Sequence, residues 1–152
     1  DGGSGGPERD VAIGMVAGGT GIAPMIQLCR AAVRHPELFG GSPRLRLVCS
    51  NRTEADMLLR RELEELCERC AAGGAGTGAD LKVLHTLTGR GVRASWEGGL
   101  GRVDSATVGG FLPGAAASTT GIVCGPSGMW KTVLPLLLAE GHAKDRCIEL
   151  EA

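Results

Sequence analysis

Three short segments carry residue types suited to holding a phosphorylated ligand. The first is Gly18-Gly19-Thr20-Gly21, with Pro24 three residues further on. Glycines let backbone amides close on an anion, and a helix starting just beyond them turns its positive dipole end toward that anion. Pro24 in the first turn of such a helix loses no needed hydrogen bond. The chemistry implied is pyrophosphate binding, with a tight turn that simply requires glycine as the alternative. No Lys follows the glycines and the third glycine of the common dinucleotide fingerprint is missing, which disfavours ATP hydrolysis.

The second segment is Ser50-Asn51-Arg52-Thr53-Glu54-Ala55-Asp56. An acid just past a strand can accept both hydroxyls of an adenosine ribose and repel a 2′-phosphate, so Asp56 is a ribose candidate. Thr53 with Asp56 is equally a capping-box variant. Arg52 pulls the other way, because a guanidinium here could pair with a 2′-phosphate. The third segment is Cys124-Gly125-Pro126-Ser127-Gly128-Met129, in which Cys124 can present a thiol at a strand end or serve as a small buried hydrophobe.

Other reactive residues form no site by spacing. Cys67-Glu68-Arg69-Cys70 has half the spacing of a zinc or thiol-redox motif but no second pair, so coincidental helical spacing is the plainer reading. His35, His85 and His142 share no metal or triad spacing and are expected at the surface or in local bonds.

The elements that must position these segments alternate. Val11 to Ala17 is a short apolar run typical of a buried parallel strand. A helix follows with the stripe Ile22, Ile26, Cys29, Val33. Arg44 to Ser50 is a second strand, and a helix from about Glu54 to Ala71 carries the stripe Leu59, Leu63, Leu66, Cys70. Leu81 to Leu87, Thr119 to Cys124 and Cys147 to Leu150 complete five strands, with helices over Asp104 to Phe111 and Ser127 to about Glu140, the last expected to kink at Pro135. Residues 1–10 and Gly73 to Gly78 are too rich in Gly and Ser to pack and read as a tail and a surface connection. The pattern predicts an α/β fold: an open, mostly parallel five-stranded sheet with helices on both faces, Rossmann-like, its ligand at the carboxyl ends of the strands.

Composition narrows the function. The chain has 152 residues, enough for one domain over 11–152, and a net charge of −1, which disfavours nucleic acid as partner. With no Tyr and only four Phe and Trp in all, a base-stacking platform is hard to assemble. No apolar run reaches the ~18 residues of a transmembrane helix. Six cysteines without disulfide-scaffold spacing fit a reducing compartment, the cytoplasm or the cytoplasmic face of a membrane.

Taken in order, Gly18-Gly19-Thr20-Gly21-Ile22-Ala23-Pro24-Met25, Asn51 with Thr53-Glu54 and Asp56, Leu58-Leu59-Arg60, Thr86-Leu87, Trp96 with Gly101, Leu112-Pro113, Cys124-Gly125-Pro126 with Met129, and Arg146-Cys147 resemble the pyridine-nucleotide domain of the ferredoxin-NADP reductase superfamily. The branch is that of the NADH-cytochrome b5 reductases and the reductase end of nitrate reductases. The resemblance implies strand order 3-2-1-4-5, pyrophosphate at Gly18 to Gly21, the adenosine ribose at Asp56, and nicotinamide at Cys124, Gly125, Pro126 and Met129, with Cys124 the catalytic candidate. It implies NADH, with NADPH less favoured, and FAD bound by a preceding β-barrel with an Arg-x-Tyr-Ser/Thr motif, for which this chain has neither length nor Tyr. A cytochrome b5-like or other haem acceptor is the implied partner. Ser127 and Gly128 replace prolines common in the branch, and His85 stands where an aromatic is usual. The expected function is the NADH-binding part of a flavoprotein reductase, inactive alone; a nucleotide-sensing or scaffold domain and a thiol-redox protein using Cys67 and Cys70 are the rivals.

Overall fold

The computed structural model describes residues 11–72 and 78–151. The expected tail at 1–10 and most of the expected glycine-rich connection, 73–77, lie outside the described residues. The elements in chain order are β1 (Ala12–Gly18), α1 (Ile22–Arg34), β2 (Arg44–Asn51), α2 (Arg60–Ala71), β3 (Asp80–Leu87), β4 (Gly99–Leu100), α3 (Ser105–Gly110), β5 (Thr119–Cys124), α4 (Met129–Ala139) and β6 (Cys147–Leu150). All pairings are parallel and the sheet order is β4-β3-β2-β1-β5-β6.

The five strands legible in the sequence thus stand in the order 3-2-1-4-5, and the expected count is corrected by one. The additional strand, β4, pairs only Gly99 and Leu100 with Thr86 and Leu87. Two residues carry no alternation to read. What holds them is a hydrogen bond from Thr86 Oγ1 to the Gly101 carbonyl at 2.8 Å, and one from Trp96 Nε1 to the Gly99 carbonyl at 3.0 Å.

The sheet buries both faces, as its continuous apolar strands require. Met15, Leu45, Leu47 and Leu81 pack under α1 and α2 with Met25, Ile26 and Leu63. Val16, Val48 and Val123 pack on the opposite face with Val108, Val133 and Leu137 of α3 and α4.

Three expectations shift locally. The helix expected from Glu54 is interrupted: Glu54–Asp56 form a 3-10 turn, Met57 is extended, and α2 starts at Arg60 after Leu59 adopts φ 56°. The Thr53–Asp56 capping box closes that first turn on itself. The helix expected from Ser127 starts at Met129, because Gly128 holds φ 96°, a left-handed conformation that belongs outside a helix. Pro135 lies inside α4 and is exposed. His142, expected in a surface or local role, is buried, its backbone amide bonded to the Leu137 carbonyl.

The β2–β3 register shapes the carboxyl edge of the sheet, because it sets Ser50 beside Thr86 and Asn51 beside Leu87 there. At the opposite end it is pinned by Arg46, whose side chain is 6% exposed and reaches Asp80 Oδ2 at 2.9 Å and the Asp80 carbonyl at 3.2 Å. The Arg46 hydrogen bond holds the Asp80 carboxyl below its ordinary pKa of 3.8. A group depressed in the folded state contributes stability above its unfolded pKa that is lost as pH falls through the folded one. Asp80→Asn should therefore lower stability at pH 7 by about 1–2 kcal/mol, a buried-pair cost reduced because Asp80 is half-exposed. The difference in urea midpoint should be constant above pH 5 and close below pH ~4, the ordinary carboxylate range. A gap that widens in acid would contradict it.

Candidate functional site at the carboxyl edge

Parallel pairing in this register brings every singled-out segment to one edge. Gly18 lies opposite Ser50, Ala17 opposite Cys124, and Cys124 opposite Leu150. The β1–α1 turn and the β5–α4 turn then pack into each other through glycines. A Cβ on Gly18 would stand 2.5 Å from Met129 Cε and 2.8 Å from Pro126 Cδ, and one on Gly125 would stand 2.5 Å from Met129 Sδ. At Gly21 a Cβ would run into the Cys124 carbonyl. Gly18, Gly21, Gly125, Pro126 and Met129 therefore form one packed unit, in which the glycines meet a steric need whatever else their amides do.

Gly19 differs. It holds φ +54°, is exposed, and a Cβ there would meet nothing within 4 Å. Thr20 is also exposed. Both lead into α1, which runs for 13 residues with Gly21 as N-cap, no capping side chain and no acid in its first turn. A 3-10 turn, Gly19–Gly21, leads into it and its Gly19 carbonyl accepts from the Ile22 N–H, so the positive end is partly satisfied by backbone but is met by no side chain. Pro24, half-buried, is the third residue of this helix, where its missing N–H costs no intrahelical bond.

Cys124 is fully buried among the residues under α1, and burial raises its thiol pKa. Its side chain faces the core, and its carbonyl is the group that meets Gly21. Cys29 and Cys49 are core groups too, while Cys67, Cys70 and Cys147 are half-buried against the core. Burial is the main cause that pushes Cys29 and Cys49 up to about 12 and Cys67 up to about 11, with neighbouring thiols adding to it. Almost no thiolate exists at neutral pH at such values. Cys67 is thereby a poor nucleophile, which weighs against the thiol-redox rival. Among the described residues no group of three or more His, Cys, Asp and Glu could hold a metal ion.

Two hollows open at this edge. A cavity of about 350 Å³ lies between the ends of β2 and β3 and the β5–α4 turn, with Ser50, Thr88, Pro126, Met129 and Thr132 in its wall. Arg102 is the single charged side chain there. A groove of about 580 Å³ is lined by Arg52, Thr53, Asp56, Thr88, Gly89 and Arg90. Asp56 is exposed, and its Oδ2 accepts from Thr53 N–H at 3.1 Å and from Thr53 Oγ1 at 2.8 Å, the capping box anticipated as its alternative role. Asn51 is half-buried, and its carbonyl accepts from Thr88 N–H at 2.9 Å. The far wall of this region is braced by Glu54, which accepts from Arg93 and, at 3.3 Å, from Arg60; the Arg93 bond depresses the Glu54 carboxyl. Arg60 in turn lies 5.7 Å over the Trp96 ring, within cation–π range.

The structure so divides the expected residues in two: Gly18 to Gly21 with Cys124 to Met129, and Asn51, Arg52 and Asp56 across β1 and β2. The hollows add Thr88, Arg90, Arg102 and Thr132, which the sequence did not single out. Thr88 and Arg90 were findable, since they come after a strand whose carboxyl end was expected to face ligand.

An open parallel sheet with helices on both faces and glycine turns at its carboxyl edge defines a Rossmann-like domain. Residues 15–134 match the oxidoreductase NAD-binding domain family, to which the chain belongs. It is 40% identical over 138 residues to "Nitrate reductase [NAD(P)H]" of Hordeum vulgare, covering 88% of this chain and 14% of that protein. It is 34% identical to "NADH-cytochrome b5 reductase 1" of Mortierella alpina, covering 91% of this chain and 42% of that one. The cytochrome b5 reductase domain of Ulva prolifera nitrate reductase superposes with a TM-score of 0.77 at 32% identity, over 91% of this chain and 49% of that one. The chain spans less than half the length of each of these proteins.

The interlocked turns give a direct expectation. Gly21→Ala forces a methyl into backbone and should lower the unfolding free energy, read from urea titration, by about 3 kcal/mol, the upper end for overpacked cores. Gly19→Ala meets no neighbour and should cost only about 1 kcal/mol, from its left-handed φ. Equal losses would show that the two turns do not interlock as described.

Proposed function

We propose that this chain is the NAD(H)-binding domain of an FAD-dependent electron-transfer reductase, holding NADH so that its nicotinamide delivers hydride to a flavin carried by a separate FAD-binding domain. The observation that supports this most is the convergence, at one sheet edge, of the uncapped start of α1, the cavity with its lone guanidinium and the groove of Asp56.

Each part has a role in that reading. The amides of Gly19, Thr20 and Gly21 and the α1 dipole receive the pyrophosphate, and Arg102 adds a charge-assisted donor across the cavity. Asp56 accepts the adenosine ribose hydroxyls, which makes NADH the favoured donor. Gly125, Pro126 and Met129 shape the nicotinamide end. Cys124, enclosed behind them, acts as a positioning residue, because its carbonyl and side chain fix where the β5–α4 turn lies against α1. FAD, when present, takes up the hydride and passes single electrons onward. The names of the relatives suggest a haem acceptor of the cytochrome b5 kind. Among the described residues no helix is long and apolar enough to cross a membrane. The six free thiols fit a reducing compartment, the cytoplasm or the cytoplasmic face of a membrane.

Calorimetric titration of the chain with NADH should give saturable binding, and Arg102→Ala should weaken it about tenfold, the worth of one charge-assisted hydrogen bond. No binding at millimolar NADH would contradict the reading. Joined behind a family FAD-binding barrel, the chain should support flavin bleaching by NADH, slowed more than tenfold by Cys124→Ser through misplacement of the reacting atoms. Tight NADH binding without bleaching would favour the nucleotide-sensing alternative.

A further inference from the structure

The groove beside Asp56 carries more positive than negative charge. Arg52 and Arg90 both line it, and neither has an ion pair or side-chain hydrogen bond among the described residues. Neighbouring Arg60 and Arg93 are different, since Glu54 takes up both. Asp56 is the one carboxylate in the groove wall, and its Oδ2 is already engaged by the Thr53 amide and hydroxyl.

The two free guanidinium groups are held on adjacent turns. Gly89 N–H donates to the Arg52 carbonyl at 2.8 Å, and Thr88 N–H donates to the Asn51 carbonyl at 2.9 Å. A Cβ on Gly89 would collide with that Arg52 carbonyl, so the close approach depends on glycine. Arg90, the residue after Gly89, therefore comes from the β3 turn to stand in the same groove as Arg52 from the β2 turn. A ribose with free hydroxyls is neutral and leaves the charge of two guanidinium groups uncompensated, even where its oxygens accept their hydrogen bonds. A phosphate monoester carries close to two negative charges at pH 7. It is the group that planar guanidinium forks bind best.

We infer that Arg90 is a specificity-determining residue which, with Arg52, offsets Asp56 and admits a 2′-phosphate at the ribose corner. This rests on the nucleotide reading above and refines it: the domain takes NADPH as well as NADH, and Asp56 leaves NADH only a small advantage.

The test compares 2′,5′-ADP with 5′-AMP by calorimetry on the full chain at one ionic strength. The two should bind within tenfold of each other. Arg90→Ala should weaken 2′,5′-ADP about tenfold and 5′-AMP less than threefold, with Arg90→Lys partly restoring the difference. Arg90 is exposed and makes no side-chain bond, so a melting curve for each variant should match the unmodified chain. If 5′-AMP binds but 2′,5′-ADP is more than tenfold weaker, or if Arg90→Ala weakens both equally, the inference is overturned and the nucleotide reading survives. If neither ligand binds at millimolar concentration, both are overturned.

Discussion

The absence of a Cβ at Gly18, Gly21 and Gly125 is the constraint on which this edge of the molecule depends. A methyl at any of them would meet Met129, Pro126 or the Cys124 carbonyl at distances that real carbon atoms do not tolerate. Because those carbons are missing, the turn after β1 and the turn after β5 interlock at the carboxyl edge. The same packing gives Gly18 and Gly21 a steric role beside any part their amides take in anion binding. It leaves Gly19 and Thr20, exposed at the uncapped start of α1, as the part of that segment open to a ligand.

Charge is distributed in keeping with this geometry. The arginines that brace the fold are matched: Arg46 to Asp80, Arg60 to Glu54 and Glu64, Arg61 to Glu65 and Arg93 to Glu54. At the edge, Arg52, Arg90 and Arg102 line hollows with no ion pair among the described residues. With a net charge of −1 overall, the chain presents no long-range cationic field. Any attraction for a dinucleotide is local and sensitive to salt.

Much of the fold was legible because its strands are buried on both faces. Val11 to Ala17 and Thr119 to Cys124 are short apolar runs leading into glycine turns, and their parallel pairing stems from the helices between them. What escaped reading is what periodicity does not encode. β4 is two residues long and held by Thr86 and Trp96 side chains from elsewhere in the chain. The break before α2 needs Leu59 at φ 56°, which no residue type announces. Of the site, the glycine and Cys124 segments were visible because their types are unusual at strand ends. Arg90 and Arg102 are ordinary surface residues until the β2–β3 register and the β5–α4 turn bring them to the same edge. Cys124 was read as an edge thiol from its position in the chain, but its strand face directs it into the core under α1.

The central claim is that the nucleotide site lies along the carboxyl edge and is shared by the β1–α1, β2, β3 and β5–α4 turns. Amide chemical shifts of the isotopically labelled chain, monitored while NAD+ is added, test it most directly. The account predicts saturable shifts at Gly19, Thr20 and Gly21, at Thr88 to Arg90, at Gly125 and at Ser127 to Met129, with Arg44, Asp80 and Thr119 at the opposite edge unmoved. Shifts concentrated at that opposite edge, or no saturable shift at all, would contradict it.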